Sequence, residues 1–168
     1  MALSRLLGAL VLALVVVGCA AASARSELDA TLRAAVHSVP VPGTDSGIVV
    51  TSFRPPGNGP FPWIVLSHGT ATTAGANRAI GRYRPLPPIR EWVHRGYAVV
   101  VPVRRGYGAS GGEKLGDTWG TCSRPDIRSA GEGAALDLLA TVEWARAQRD
   151  LDEKRWLLAG QRDRKSVV

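Results

Sequence analysis

Hydrophobic and polar positions in this chain fall into blocks of strand and helix length. Residues 48–53 are rich in β-branched side chains and end in a Pro/Gly cluster over 54–60, which predicts a strand followed by a turn. Residues 61–66 follow, and Trp63, Ile64, Val65 and Leu66 form an unbroken apolar run, the pattern of a strand buried on both sheet faces. Residues 97–103 repeat that pattern. Between these two strands, Ile89, Trp92 and Val93 lie at i, i+3 and i+4, which predicts a short helix over 88–96 with Pro near its start and Gly96 at its C-terminal cap. Strand, helix, Gly and strand in that order predict a right-handed crossover between parallel strands. The longest helix is predicted over 130–149. Leu138, Leu139, Val142 and Ala145 form its apolar stripe, Leu136 and Trp144 widen it, and Asp137, Glu143, Arg146 and Arg149 lie mostly away from it. Ser123 and Asp126 resemble a capping box at its start, with Pro125 in the first turn. Residues 150–155 are a polar return, residues 156–159 a last short strand, and Gly160-Gln161 its stop. Two segments read differently: 27–37 as a brief surface helix, from Leu28, Leu32, Ala35 and Val36, and 71–88 as a long irregular loop. The fold class is therefore α/β.

The first 24 residues do not belong to this pattern. Arg5 followed by the apolar run 6–17 is too short to span a membrane and fits a secretory signal. Two cleavage signals compete: Val16-Val17-Gly18-Cys19, a lipobox in which Cys19 would be lipidated, and Ala22-Ser23-Ala24, an ordinary A-x-A site. Either implies export to the periplasm or cell envelope, with membrane contact only through a lipid on Cys19. Residues 25–47 read as a lead-in, 48–161 as the domain and 162–168 as a non-native tail. The remaining Cys122 is either a buried small hydrophobe or the partner of a cysteine outside this chain. His37 has no other His or Cys near it and reads as solvated. The net charge of +7 comes largely from scattered arginines without interleaved stacking aromatics, which argues against nucleic-acid binding.

Three passages carry chemistry. Ser67-His68-Gly69-Thr70 follows the second strand, and a glycine-permitted turn there can aim a backbone N–H at developing negative charge. Arg104-Arg105-Gly106-Tyr107-Gly108-Ala109-Ser110-Gly111-Gly112 follows the third strand. It formally matches G-x-G-x-x-G, but no helix follows and no Lys-Ser/Thr pair makes it a phosphate cradle. Gly160-Gln161 and position 162 follow the last strand, in the layout of a nucleophile elbow. Together these passages resemble the N-terminal half of the α/β-hydrolase superfamily, in the manner of dienelactone-hydrolase-like and prolyl-oligopeptidase-like serine hydrolases. The resemblance implies a mostly parallel sheet with flanking helices and a Ser-His-acid triad acting on a small ester or peptide, without cofactor or metal. It implies an oxyanion-hole amide at Thr70 or Ala71 and substrate contacts among Asn77, Arg78, Arg82, Tyr83 and Tyr107. It also makes His68 a turn-holding residue and Ser110 a loop residue.

The elbow departs from the family. The nucleophile position holds Arg162, and Arg164 stands where a second small residue belongs. Asp163 is one position out of register, and Ser166 has no elbow strand. Asp163-Arg164-Lys165-Ser166-Val167-Val168 is the in-frame translation of a common sequencing adapter whose first base completes codon 162. That codon then encoded Ser or Arg, and an elbow requires Ser. The expectation is an exported serine hydrolase interrupted at its elbow, without the base and acid that follow it in the family, and inactive as given. The alternative is a non-catalytic envelope lipoprotein or binding module built on a hydrolase-like sheet.

Overall fold

The computed structural model describes residues 30–70, 74–112, 120–121 and 124–160. A 3-10 turn, Ala30–Leu32, leads into β1 (Ala35–Pro40), β2 (Gly47–Phe53) and β3 (Phe61–Ser67). Helices α1 (Ala74–Ala79) and α2 (Leu86–His94) precede β4 (Ala98–Val103). A two-residue hairpin, β5 (Gly120–Thr121) and β6 (Arg124–Pro125), precedes α3 (Ile127–Arg146) and β7 (Leu151–Gly160). Five strands form one sheet in the order β1-β2-β4-β3-β7. The β1–β2 and β2–β4 ladders are antiparallel, and the β3–β4 and β3–β7 ladders are parallel. The sheet is thus mixed among the described residues, with its parallel part formed by β4, β3 and β7.

The unbroken apolar runs are explained by burial on both faces. Alternate residues of β3 and β4 divide between two cores: Trp63, Val65, Ala98 and Val100 pack with Ala140, Val142 and Ala145 of α3. Leu66, Val99 and Val101 pack instead with Ile89 and Val93 of α2. With a side-chain period of two, each strand feeds both cores and no position is left for a polar residue. Helix α2 ends where Gly96 takes φ +85, a conformation that favours glycine and lets the chain turn directly into β4.

Several expectations are corrected. The helix predicted over 27–37 is instead a strand from residue 35, paired with β2 from Ala35↔Ser52 to Pro40↔Gly47. His37 is accordingly half-buried rather than solvated, 2.8 Å from Ser52 Oγ and with its ring 4.6 Å from that of Trp144. The loop predicted over 71–88 contains α1, and α2 starts at Leu86. The long helix runs from 127 to 146, not 130 to 149. Its cap is Asp126, whose carboxylate accepts the Ser129 N–H at 3.0 Å; Pro125 precedes the helix, in β6. Ser123 and Cys122 lie outside the described residues. Strand β7 begins at Leu151, and its register against β3 shifts between Phe61 and Trp63. Asp137, expected away from the apolar stripe, is buried at 3% exposure, while Leu139 stands 59% exposed.

Candidate active site

Strands β3 and β7 run parallel with Leu66 opposite Ala159 and Ser67 opposite Gly160. The turn 68–70 and the end of β7 at Gly160 therefore lie at the same level on neighbouring strands. In an open α/β sheet the carboxyl ends of parallel strands form the natural ligand crevice. Strand β4 ends beside β3 and delivers the loop 104–112 to the same rim.

His68 organises this rim. It is 4% exposed, its Nδ1 lies 2.7 Å from the Gly69 carbonyl, and its Nε2 lies 3.1 Å from the Arg104 amide. A carbonyl can only accept and an amide can only donate, so Nδ1 carries the proton and the ring is neutral. Burial is the main reason that its pKa falls to about 4; the Gly69 carbonyl opposes the shift and the Arg104 charge adds to it. A proton-accepting nitrogen already committed to a backbone amide is not free to act as a base. The ring holds the 68–70 turn to the start of the 104–112 loop.

Thr70 and Tyr107 meet, hydroxyl to hydroxyl, at 2.9 Å. The Arg104 guanidinium lies 4.8 Å from the centroid of the Tyr107 ring. One of its nitrogens donates to the His68 carbonyl and to Thr70 Oγ1, each at 3.3 Å. Tyr83 presents its ring to His68 at 5.7 Å. Asn77 is buried, and its carbonyl accepts the Gly108 amide at 3.1 Å, while the Gly81 carbonyl accepts the Ala109 amide at 3.0 Å. This docking is close: a Cβ on Gly108, which has φ +44, would lie 2.0 Å from Gly81 O. The structure thus brings together Thr70, Tyr83, Tyr107 and the backbone of Asn77. Arg78 is exposed on α1, and Gly160 ends β7 one strand away from the turn. Ala71, Gln161, Arg162 and Cys19 lie outside the described residues.

Ser110 has a different environment. Its hydroxyl donates to the Val103 carbonyl and accepts the Val49 amide at 2.8 Å, so it pins the loop to β2 and β4. Beneath the loop, Asp137 of α3 accepts the Arg105 amide at 2.8 Å and Arg105 Nε at 2.6 Å, with both side chains buried. Sequence reasoning missed this pair. Gly133, Asp137 and Thr141 share one helix face at spacings of four, and this row of small and polar residues beside the apolar stripe was the available signal. Among the described residues no group of three or more His, Cys, Asp or Glu could hold a metal, and no helix is long and apolar enough to cross a membrane.

The fold is that of the α/β serine hydrolases. XC6422 of Xanthomonas campestris, described as an α/β serine hydrolase without lid, matches at TM-score 0.51 and 23% identity over 76% of this chain and 50% of its own. An α/β serine hydrolase homologue of Coxiella burnetii matches at TM-score 0.52 and 18% identity, over 75% of this chain and 50% of its own. An acylaminoacyl peptidase in complex with a chloromethyl ketone matches at 0.51 and 16%, over 76% of this chain and 19% of its own. The chain therefore spans half or less of the length of these proteins. Comparison with curated proteins finds no match. Residues 46–156 match the X-Pro dipeptidyl-peptidase (S15) family, and the chain belongs to that family.

Proposed function

We propose that this chain is the N-terminal part of an exported serine hydrolase that cleaves an ester or peptide bond through a nucleophile at position 162. The supporting observation is the register of β3 against β7, with Ser67 opposite Gly160. Two residues beyond Gly160, position 162 follows the strand that neighbours the His68-Gly69-Thr70 turn. A nucleophile delivered there attacks an acyl carbon whose oxygen is received by the amide of Thr70 or Ala71. His68, neutral and committed at both nitrogens, holds that turn, and the triad base comes from elsewhere. With Arg162 in place the chain has no hydroxyl to acylate at this position, so it is inactive as given, and Ser is the residue that the elbow demands. Export is read from the leader, with lipidation at Cys19 or cleavage after Ala24 as its two routes.

Sequencing the gene through codon 162 and expressing the complete reading frame tests this reading. The product carries Ser at 162, and a fluorophosphonate probe labels that residue while leaving the present chain unlabelled. A native frame that continues Arg-Asp-Arg-Lys overturns the proposal.

A further inference from the structure

The 68–70 turn lies beyond the end of β3 and is held by side chains at each of its three residues. The Gly69 carbonyl accepts the Nδ1–H of His68 at 2.7 Å, and the His68 carbonyl accepts from Arg104 at 3.3 Å. The Thr70 hydroxyl meets Arg104 at 3.3 Å and Tyr107 at 2.9 Å. A guanidinium can only donate, so Thr70 Oγ1 accepts there; whichever of the two hydroxyls donates to the other, Thr70 is tied at two points. One Arg104 nitrogen thus staples residue 68 to residue 70, and Tyr107 fixes the far end of the turn. Tyr107 is itself held firmly. It is 2% exposed, with its ring centroid 4.7 Å from that of His68 and 4.8 Å from the Arg104 guanidinium carbon. Its backbone belongs to a loop pinned by Ser110 to β2 and β4 and by Arg105 to Asp137 of α3. A hydroxyl carried on such a base is a fixed point against which Thr70 is set.

We infer that Tyr107 is a positioning residue for acyl transfer: through the Thr70 hydroxyl it holds the end of the turn whose amide receives the acyl oxygen. The inference deepens the hydrolase reading and rests on it. A donor aimed at developing charge is effective because it needs no reorganisation when the charge appears, and a turn containing glycine has little rigidity of its own. The hydroxyl pair supplies that rigidity. Tyr107 lies too deep to grip a substrate directly, so its hydroxyl acts on the rate of the chemical step and not on the affinity of the ligand that precedes it.

The test follows fluorophosphonate labelling of position 162 in the protein expressed from its complete reading frame. There the hydroxyl oxygen bonds to phosphorus as fluoride leaves, its proton passes to the triad base, and the phosphoryl oxygen takes the place of the acyl oxygen. Rates measured across probe concentrations separate the maximal labelling rate from the apparent affinity. Tyr107→Phe removes one oxygen and keeps the ring; the maximal rate is expected to fall about tenfold with the affinity unchanged. Thr70→Val should cost as much and Thr70→Ser clearly less. The double variant Thr70→Val/Tyr107→Phe should cost no more than either change alone, because both break the same link. Each rate is the first-order constant of the labelled fraction, so a variant that folds poorly lowers the extent of labelling without altering the rate. A rate unchanged by Tyr107→Phe, a loss confined to affinity, or losses that multiply in the double variant overturns the inference. Failure of the hydrolase reading shows separately, as no labelling of position 162 in the parent protein, and takes the inference with it.

Discussion

His68 links the local chemistry of the rim to its stability. Its neutral form makes both ring hydrogen bonds, and protonation would remove the acceptor that holds the Arg104 amide and place a cation beside the Arg104 guanidinium. The folded-state value, about 4, lies below the ordinary value of 6.5, so the folded protein binds fewer protons in between. The stabilisation is therefore complete above pH 6.5 and is lost as the pH falls towards 4, by an amount on the order of 3 kcal/mol. His37 acts in the same direction, lowered first by burial and then by Arg54. Urea midpoints taken between pH 7 and pH 4 should fall steeply in the unmodified protein and less steeply in His68→Gln. Parallel curves would show that His68 is not the titrating group. Asp137 gives a sharper test. Asp137→Ala strands the buried Arg105 guanidinium and is expected to cost about 3–5 kcal/mol. Replacing both partners with apolar residues of similar volume, Arg105→Met with Asp137→Leu, should recover much of that loss, because two desolvated charges are removed together. A double variant no more stable than Asp137→Ala would place the cost in packing rather than in charge.

At the scale of elements, β7 is the exposed feature. It is ten residues long, pairs only with β3 among the described strands, and stands at the end of the sheet. Leu157 and Leu158 point to opposite faces and are 53% and 56% exposed. A long edge with apolar side chains is a template for pairing with another chain. The present chain is expected to associate in a concentration-dependent way, and Leu158→Lys should raise the concentration at which light scattering detects association several-fold. A threshold unmoved by this change would locate the sticky surface elsewhere, for instance at Leu136 and Leu139 of α3. How far these elements could be read from sequence depended on where their determinants lie. Strands β3 and β4 were legible because burial on both faces writes a continuous apolar run into Trp63–Leu66 and Ala98–Val103. Strand β1 was not, because only Val39 is buried in it and its conformation is fixed by pairing to β2, while Leu28, Leu32, Ala35 and Val36 happen to share a helical spacing. Asp137 was misread for the same reason: its partner Arg105 lies 32 residues away. The two described loops of the rim, 68–70 and 104–112, were legible as motifs, but the register that sets Ser67 opposite Gly160 is a property of the assembled sheet.

For the molecule as a whole, the described residues already contain the two cores on either side of β3 and β4 and a buried ion pair beneath the rim loop. They also leave β7 half-covered, and the part matched is half or less of the related structures' own length. A sheet whose central parallel strand has an exposed neighbour buries less apolar surface per residue than one flanked on both sides. On the reading proposed above, the present chain should therefore unfold in urea at a lower midpoint than the longer hydrolase of which it would be part. Its m-value should also be smaller, since m follows the surface exposed on unfolding. The two quantities separate the alternatives. A chain built as an independent binding module would show one sharp transition, with stability within the usual range of about 5–15 kcal/mol. A chain that is part of a larger hydrolase would show a broad, early transition that moves to higher urea only when the rest of the reading frame is present. The second outcome, together with labelling of position 162 in the complete product, would tie the marginal stability and the missing chemistry to one cause. A sharp and stable transition in the chain alone would instead favour the binding module.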